Sequence, residues 1–251
     1  MTSADVLAAR RIAAAAGDLL LEIRRGLDDG ADPDTVRREG DRRSHELIVS
    51  LLAEQCAGDS VVSEEADEHE APTGRRVWIV DPLDGTREFG EADRSDFAVH
   101  VALVEDGELA AGAVALPGRP DAPVVATDDV PRCGERPPGP LRVAVSRTRP
   151  AAEAEQLASA LDAELVPMGS AGVKIVAVLE GTVDVYVHSG GQYVWDSAAP
   201  VAVATAAGLH ASRLDGSPLD YAGCGTWLPD LVVCRSDLWG DVRAALRSPG
   251  N

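Results

Sequence analysis

The segment Val77-Trp78-Ile79-Val80-Asp81-Pro82-Leu83-Asp84-Gly85-Thr86 constrains this chain more than any other. Its first four residues are β-branched or aromatic and predict a strand that ends at Asp81. Pro82 has no N–H to give a ladder and helps stop the strand. Two carboxylates three residues apart in a tight turn can converge on one point, with the Leu83 carbonyl between them. Hard oxygen ligands of this kind suit magnesium. Gly85 and Thr86 then offer free backbone N–H groups at a helix start, where phosphate oxygens bind well. One turn thus supplies metal ligands and a phosphate cradle. The competing reading is a plain turn with an Asp cap, since D-P and D-G are common turn pairs.

Two further acidic clusters favour the metal reading. Ser63-Glu64-Glu65 follows the short strand Val61-Val62, and carboxylates at a strand's C-terminal end sit where α/β sheets place their sites. Trp195-Asp196-Ser197-Ala198-Ala199 opens an apolar helical run; Asp196 either caps that helix or points at a metal. Taken alone, Glu64 and Glu65 read as surface charges. The net charge of −19 repels nucleic-acid backbones and anionic membranes. A phosphate substrate therefore needs bound divalent cations to cancel the local field, while most of the 42 acidic residues serve solubility. An aspartyl-phosphate mechanism of the haloacid-dehalogenase type is set aside. That motif is D-x-D-G-T near a chain's beginning, and D-P-L-D-G-T is one residue longer and lies well inside.

The organisation changes along the 251 residues, a length that suits one large domain or two small ones. Helices are expected from Ala4 to Leu27 and from Asp41 to Gln55, separated by a Gly- and Asp-rich loop. Strands are expected at Val61–Ser63, Val77–Val80, Phe97–Glu105, Leu109–Ala115 and Val124–Thr127, with an Asp106-Gly107 hairpin. Residues 128–140 are rich in Pro and Gly, so a boundary is placed there, giving domains 1–135 and 136–251. Beyond it strands and helices alternate: Leu141–Val145, Ala151–Leu161, Leu165–Pro167, Ala171–Leu179, Val183–Val187, Trp195–Ala207, Leu231–Cys234 and Leu238–Leu246. Such alternation predicts an α/β half. Aromatics are only 4% of the chain, so the core must rest on Ala, Val and Leu.

Cys56, Cys133, Cys224 and Cys234 form no C-x-x-C pair and are read as reduced and structural, in a reducing cytoplasm. The first residues lack a basic n-region, and Arg10, Arg11, Asp18 and Glu22 break the apolar run behind them; neither signal peptide nor membrane span is expected. His45, His69, His100, His188 and His210 show no ligand spacing and are expected to be surface or satisfied residues.

Glu64-Glu65, Asp81-Pro82-Leu83-Asp84-Gly85-Thr86 and Trp195-Asp196-Ser197-Ala198-Ala199, in that order, resemble the lithium-sensitive inositol monophosphatase superfamily across nearly the whole chain. Arg87-Glu88-Phe89, Val145-Ser146-Arg147, Gly169-Ser170-Ala171-Gly172-Val173-Lys174, Gly181-Thr182-Val183-Asp184-Val185-Tyr186 and Asp215-Gly216-Ser217-Pro218-Leu219 resemble CysQ-type 3′(2′),5′-bisphosphate nucleotidases. The resemblance implies an α/β (α+β) fold, a layered α-β-α-β-α sandwich of the lithium-sensitive sugar phosphatase type. It implies a cytoplasmic, magnesium-dependent phosphatase that removes the 3′-phosphate of 3′-phosphoadenosine 5′-phosphate, or of its sulfated form, in sulfate assimilation. Inositol-1-phosphate or fructose-1,6-bisphosphate as substrate, and a non-catalytic binder, are the alternatives.

Residue by residue, the resemblance implies that Glu64, Asp81 and the Leu83 carbonyl hold one magnesium and that Asp81, Asp84 and Asp196 hold a second. Glu64 also touches a third, weaker ion. Gly85 and Thr86 bind the scissile phosphate, with Glu64, Leu83, Asp84 and Asp196 around the substrate. Asp41 pairs with the Thr86 hydroxyl to orient the attacking water, whereas the residues alone make Asp41 a helix N-cap. Lys174, the only lysine, contacts a second phosphate together with Ser170, or else snorkels from its helix. The family often has His or Asn before Trp-Asp; Val194 stands there and offers no polar contact. Expected partners are a small phosphate substrate and, through the Ala-rich first helix, a second copy of the chain; no nucleic-acid polymer and no membrane.

Overall fold

The structure is a computed structural model that describes residues 3–66, 74–136, 138–221 and 225–247. Cys224 and His69 lie outside the described residues. The chain begins with α1 (Ser3–Asp28) and α2 (Pro33–Gln55). Apolar side chains at helical spacing, among them Val6, Ile12, Ala16 and Leu20, form the buried stripe of α1. Helix α2 starts eight residues earlier than expected. Asp32 is its N-cap, accepting from Thr35 N–H at 3.0 Å, and Pro33 takes the first turn, where its missing N–H costs nothing. Asp41 is therefore interior to a helix and is no N-cap.

The first sheet has the order β1 (Ser60–Ser63), β2 (Arg76–Asp84), β3 (Ala98–Glu105), β4 (Glu108–Ala115), β5 (Val124–Ala126). A four-residue helix α3 (Thr86–Phe89) follows β2. Strands β1 and β2 run parallel and the rest antiparallel, with Asp106-Gly107 at positive φ in the β3–β4 hairpin. Residues of β2 and β3 alternate between two cores, as a two-residue period requires. Trp78, Val80, Val99, Val101 and Leu103 pack with α1 and α2, while Val77, Ile79, Ala98, Ala102 and Val104 face the opposite layer.

The second sheet follows residue 140: β6 (Leu141–Ser146), α4 (Ala152–Leu161), β7 (Ala163–Met168), α5 (Ala171–Leu179), β8 (Val185–Tyr193), α6 (Val194–Ala206), β9 (His210–Ser212), β10 (Trp227–Cys234) and α7 (Trp239–Arg247). Its order is β7-β6-β8-β10-β9; β6 is parallel to both β7 and β8, whereas β10 is antiparallel to its neighbours. Helices α5 and α6 fill the space between the sheets, and α4 and α7 cover the outer face of the second. The layering is α-β-α-β-α, as expected. No helix among the described residues is long and apolar enough to cross a membrane. Cys56, Cys133 and Cys234 are free thiols.

Candidate active site

The end of β2 is where the acidic motif lands. Asp81 is 1% exposed; its Oδ1 accepts the Leu83 N–H at 3.0 Å. Ser44 on α2 donates to the Pro82 carbonyl at 2.7 Å, pinning the turn from the helix side. The pairing of β2 with β3 slips between Asp81 and Asp84, so the chain bulges there and turns both carboxylates toward one region. Asp84 Oδ2 accepts from Ser170 Oγ at 2.5 Å and from the Gly172 N–H at 2.9 Å, at the N-terminus of α5. Ser170 caps that helix, accepting from Val173 N–H at 3.1 Å. Gly85, at φ 89°, ends the turn, and Thr86 opens α3. The Thr86 hydroxyl lies 3.2 Å from Asp41 Oδ1 and 3.0 Å from the Leu83 carbonyl.

Asp196 comes from the other half, as the third residue of α6, where its Oδ2 accepts the Tyr193 N–H at 2.6 Å. Glu64 follows β1. The electrostatics show that these acids crowd one another. Burial, then the charge of Asp196, pushes Glu64 up to about 8. Burial, then Asp84, pushes Asp196 up to about 7, and burial with Glu65 does the same to Asp41. Asp81 is driven well above the carboxylate range by burial, with Glu64, Asp84 and Asp196 adding to it. Asp81 Oδ2 is buried and meets no hydrogen-bond donor among the described residues. Crowded like charges around the buried Asp81 oxygen fit a hard divalent cation.

A cavity of about 710 Å³ brings Glu64, Asp84, Gly85, Thr86, Ser170, Lys174 and Asp196 together. Lys174 is 5% exposed, with Nζ 5.2 Å from the centre of the Tyr186 ring, so it does not snorkel to solvent. Burial lowers its pKa, while Asp84, Glu88 and Asp96 pull the other way. Val194 is fully buried and Trp195 nearly so.

The expectation for the histidines fails at His100. Its ring is fully buried, Nδ1 faces the Trp195 carbonyl at 3.1 Å and Nε2 lies 3.3 Å from Asp84 Oδ2. With Asp81 and Asp84 it forms a group of ligand atoms within 4.8 Å of one another. A Cβ on residue 172 would sit 2.1 Å from its Nε2, so only glycine lets α5 start there. The available signal was one polar ring inside the continuous apolar run Phe97–Val104. A second cluster carries no signal in sequence spacing: Arg147 grips Glu88 at 2.7 Å and Glu91 at 2.9 Å, and Asp96 accepts the Gly169 N–H at 2.6 Å. These bonds tie the α3 region to the second half at the cavity rim.

Over residues 2–135 and 139–239 the chain matches the inositol monophosphatase family. It is 47% identical over 249 residues, 93% of this chain and 90% of the relative, to a protein of Mycobacterium leprae (strain TN) named 3′-phosphoadenosine 5′-phosphate phosphatase. It is 30% identical over 234 residues, 84% of this chain and 91% of the relative, to the 3′(2′),5′-bisphosphate nucleotidase CysQ of Escherichia coli (strain K12). The crystal structure of CysQ from Bacteroides thetaiotaomicron superposes with a TM-score of 0.73 at 26% identity, covering 92% of this chain and 96% of that one. Sequence and architecture agree: the chain belongs to the inositol monophosphatase family, whose members are metal-dependent phosphatases.

Proposed function

We propose that this protein is a magnesium-dependent 3′(2′),5′-bisphosphate nucleotidase that removes the 3′-phosphate of 3′-phosphoadenosine 5′-phosphate. The observation that carries the reading is the convergence of Glu64 and Asp84 from the first half and Asp196 from the second on one cavity, with Asp81 buried beside them. The names of the Mycobacterium leprae and Escherichia coli relatives support the nucleotide as substrate. Glu64, Asp81, the Leu83 carbonyl, Asp84 and Asp196 are the groups that would hold two to three ions. Bound there, magnesium neutralises phosphate charge, stabilises the leaving oxygen and makes water more acidic.

The chain's own residues supply position and proton traffic. A Thr86 hydroxyl that donates to Asp41 keeps its lone pairs free to accept from a water molecule, fixing that water's orientation. Asp41, held up to about 7, is basic enough to take a proton near neutral pH. The backbone N–H groups of Gly85 and Thr86 are assigned to the scissile phosphate. Lys174 is assigned to the substrate's second phosphate. Ser170 and Gly172 fix Asp84 and so aim its other oxygen. The test is phosphate release from the adenosine bisphosphate, inositol-1-phosphate and fructose-1,6-bisphosphate with magnesium, with and without lithium. Highest kcat/KM on the nucleotide and inhibition by lithium are expected. Preference for either sugar phosphate would overturn the nucleotide assignment, and no release from any would overturn catalysis.

A further inference from the structure

Two large aromatic side chains stand open at the same cavity. Trp227, at the start of β10, is 50% exposed, and Tyr193, its register partner on β8, is 43% exposed. They continue a row of rings. Trp195, next to Asp196, stacks on Tyr193 with centroids 4.7 Å apart and planes 9° apart; Tyr193 meets Trp227 edge-on at 5.4 Å and 81°. The row runs from the buried ring beside the acidic centre to the exposed one. Leaving this much apolar surface in water is unfavourable, and water attack on phosphorus has no use for it.

The Trp227 setting is specifically built. Gly190 and Gly191 have φ of 86° and 94°, where β8 and β10 slip register around Pro229, which has no N–H for the ladder. A Cβ at residue 191 would lie 1.6 Å from Trp227 Cζ2, so the indole rests directly on glycine backbone. His188 holds that backbone, its Nε2 2.8 Å from the Gly191 carbonyl, which fixes Nε2 as the donor. The backbone thus backs the indole from below, and the ring stays half open on the cavity that the carboxylates also line.

We propose that Trp227, with Tyr193 at its edge, is the platform on which the substrate's purine stacks; this rests on the nucleotide reading above. A flat π-surface attracts a nucleobase and gives a polyol or sugar bisphosphate no comparable contact. In a 3′,5′-bisphosphate one sugar separates the base from the scissile phosphate, so a base platform must share the cavity with the acidic centre, as Trp227 does.

Steady-state kinetics of Trp227→Ala and Trp227→Phe test the assignment. Trp227→Ala should raise KM for the adenosine bisphosphate about tenfold with kcat little changed. It should weaken inhibition by the product AMP by a similar factor and leave inhibition by inorganic phosphate as it was. Trp227→Phe should recover most of the loss. In the wild-type protein with magnesium and AMP, saturation-transfer NMR should place the adenine protons against the indole, a readout that needs no variant to fold. Wild-type enzyme that ignores the adenosine bisphosphate would overturn the nucleotide reading. Wild-type turnover of it, with KM and AMP inhibition unmoved in Trp227→Ala or no indole–adenine transfer, would overturn the platform alone.

Discussion

Asp84 divides its two oxygens between different tasks. Oδ2 is committed to Ser170 and Gly172, and the carboxylate still contributes charge that raises Asp81 and Asp196. An asparagine keeps an oxygen for the two donors and loses the charge. Asp84→Asn is therefore expected to lower kcat at least about a hundredfold while its thermal midpoint stays near that of the wild type; wild-type turnover would take Asp84 out of the site. Lys174 is a second separable residue. It sits over the Tyr186 ring with its charge disfavoured by burial, a cost that an anionic partner offsets. Lys174→Met, which keeps the stem, should raise KM for the bisphosphate about tenfold and leave KM for a mononucleotide 3′-phosphate unchanged. Equal effects on both substrates would assign Lys174 to packing.

Among the elements, α5 is sensitive to a small change at its start. Gly172→Ala would press a methyl group into the His100 ring, and the helix end that anchors Asp84 would have to move. A loss of about 1–3 kcal/mol in urea unfolding is expected, together with reduced turnover; a variant with wild-type values for both would show that α5 has slack. This contact also marks how far the residues could be read directly. Helices and strands with clear periodicity were legible, and so were the acids at a strand end or helix start, because chain neighbours define those positions. The start of α2 was missed because Asp32-Pro33 reads equally as loop and as cap. Strand β9 is His210-Ala211-Ser212, with no β-branched or apolar run to mark it as Val124-Val125 marks β5. His100, Trp227 and the Arg147–Glu88 pair acquire meaning only through partners far along the chain, such as Trp195, Gly191 and the α3 region, and local pattern cannot supply those meetings.

For the whole molecule, the crowded acids make stability depend jointly on pH and metal. Their folded-state carboxyls hold protons that the unfolded chain has already released, because Asp41 and Asp196 sit near 7 and Glu64 near 8 against ordinary values of 3.8 and 4.5. The unfolded state then binds fewer protons, so stability falls as the pH rises from about 4 toward 8. In the metal-free protein the thermal midpoint should drop by roughly 5–10 °C between pH 5.5 and pH 8. Saturating magnesium should remove most of that drop, since cations between the carboxylates favour the charged form; a metal-free midpoint that is flat or rising over this range would contradict the crowding. The middle layer, α5 and α6, adds a consequence for synthesis. Both helices come from the later half, yet one face of the first sheet packs on them. A nascent chain translated only to residue 136 would carry Glu64, Asp81 and Asp84 but leave that sheet face bare, and would lack Asp196. On the ribosome the first half thus exposes an apolar sheet face, prone to aggregation, before the site can be completed.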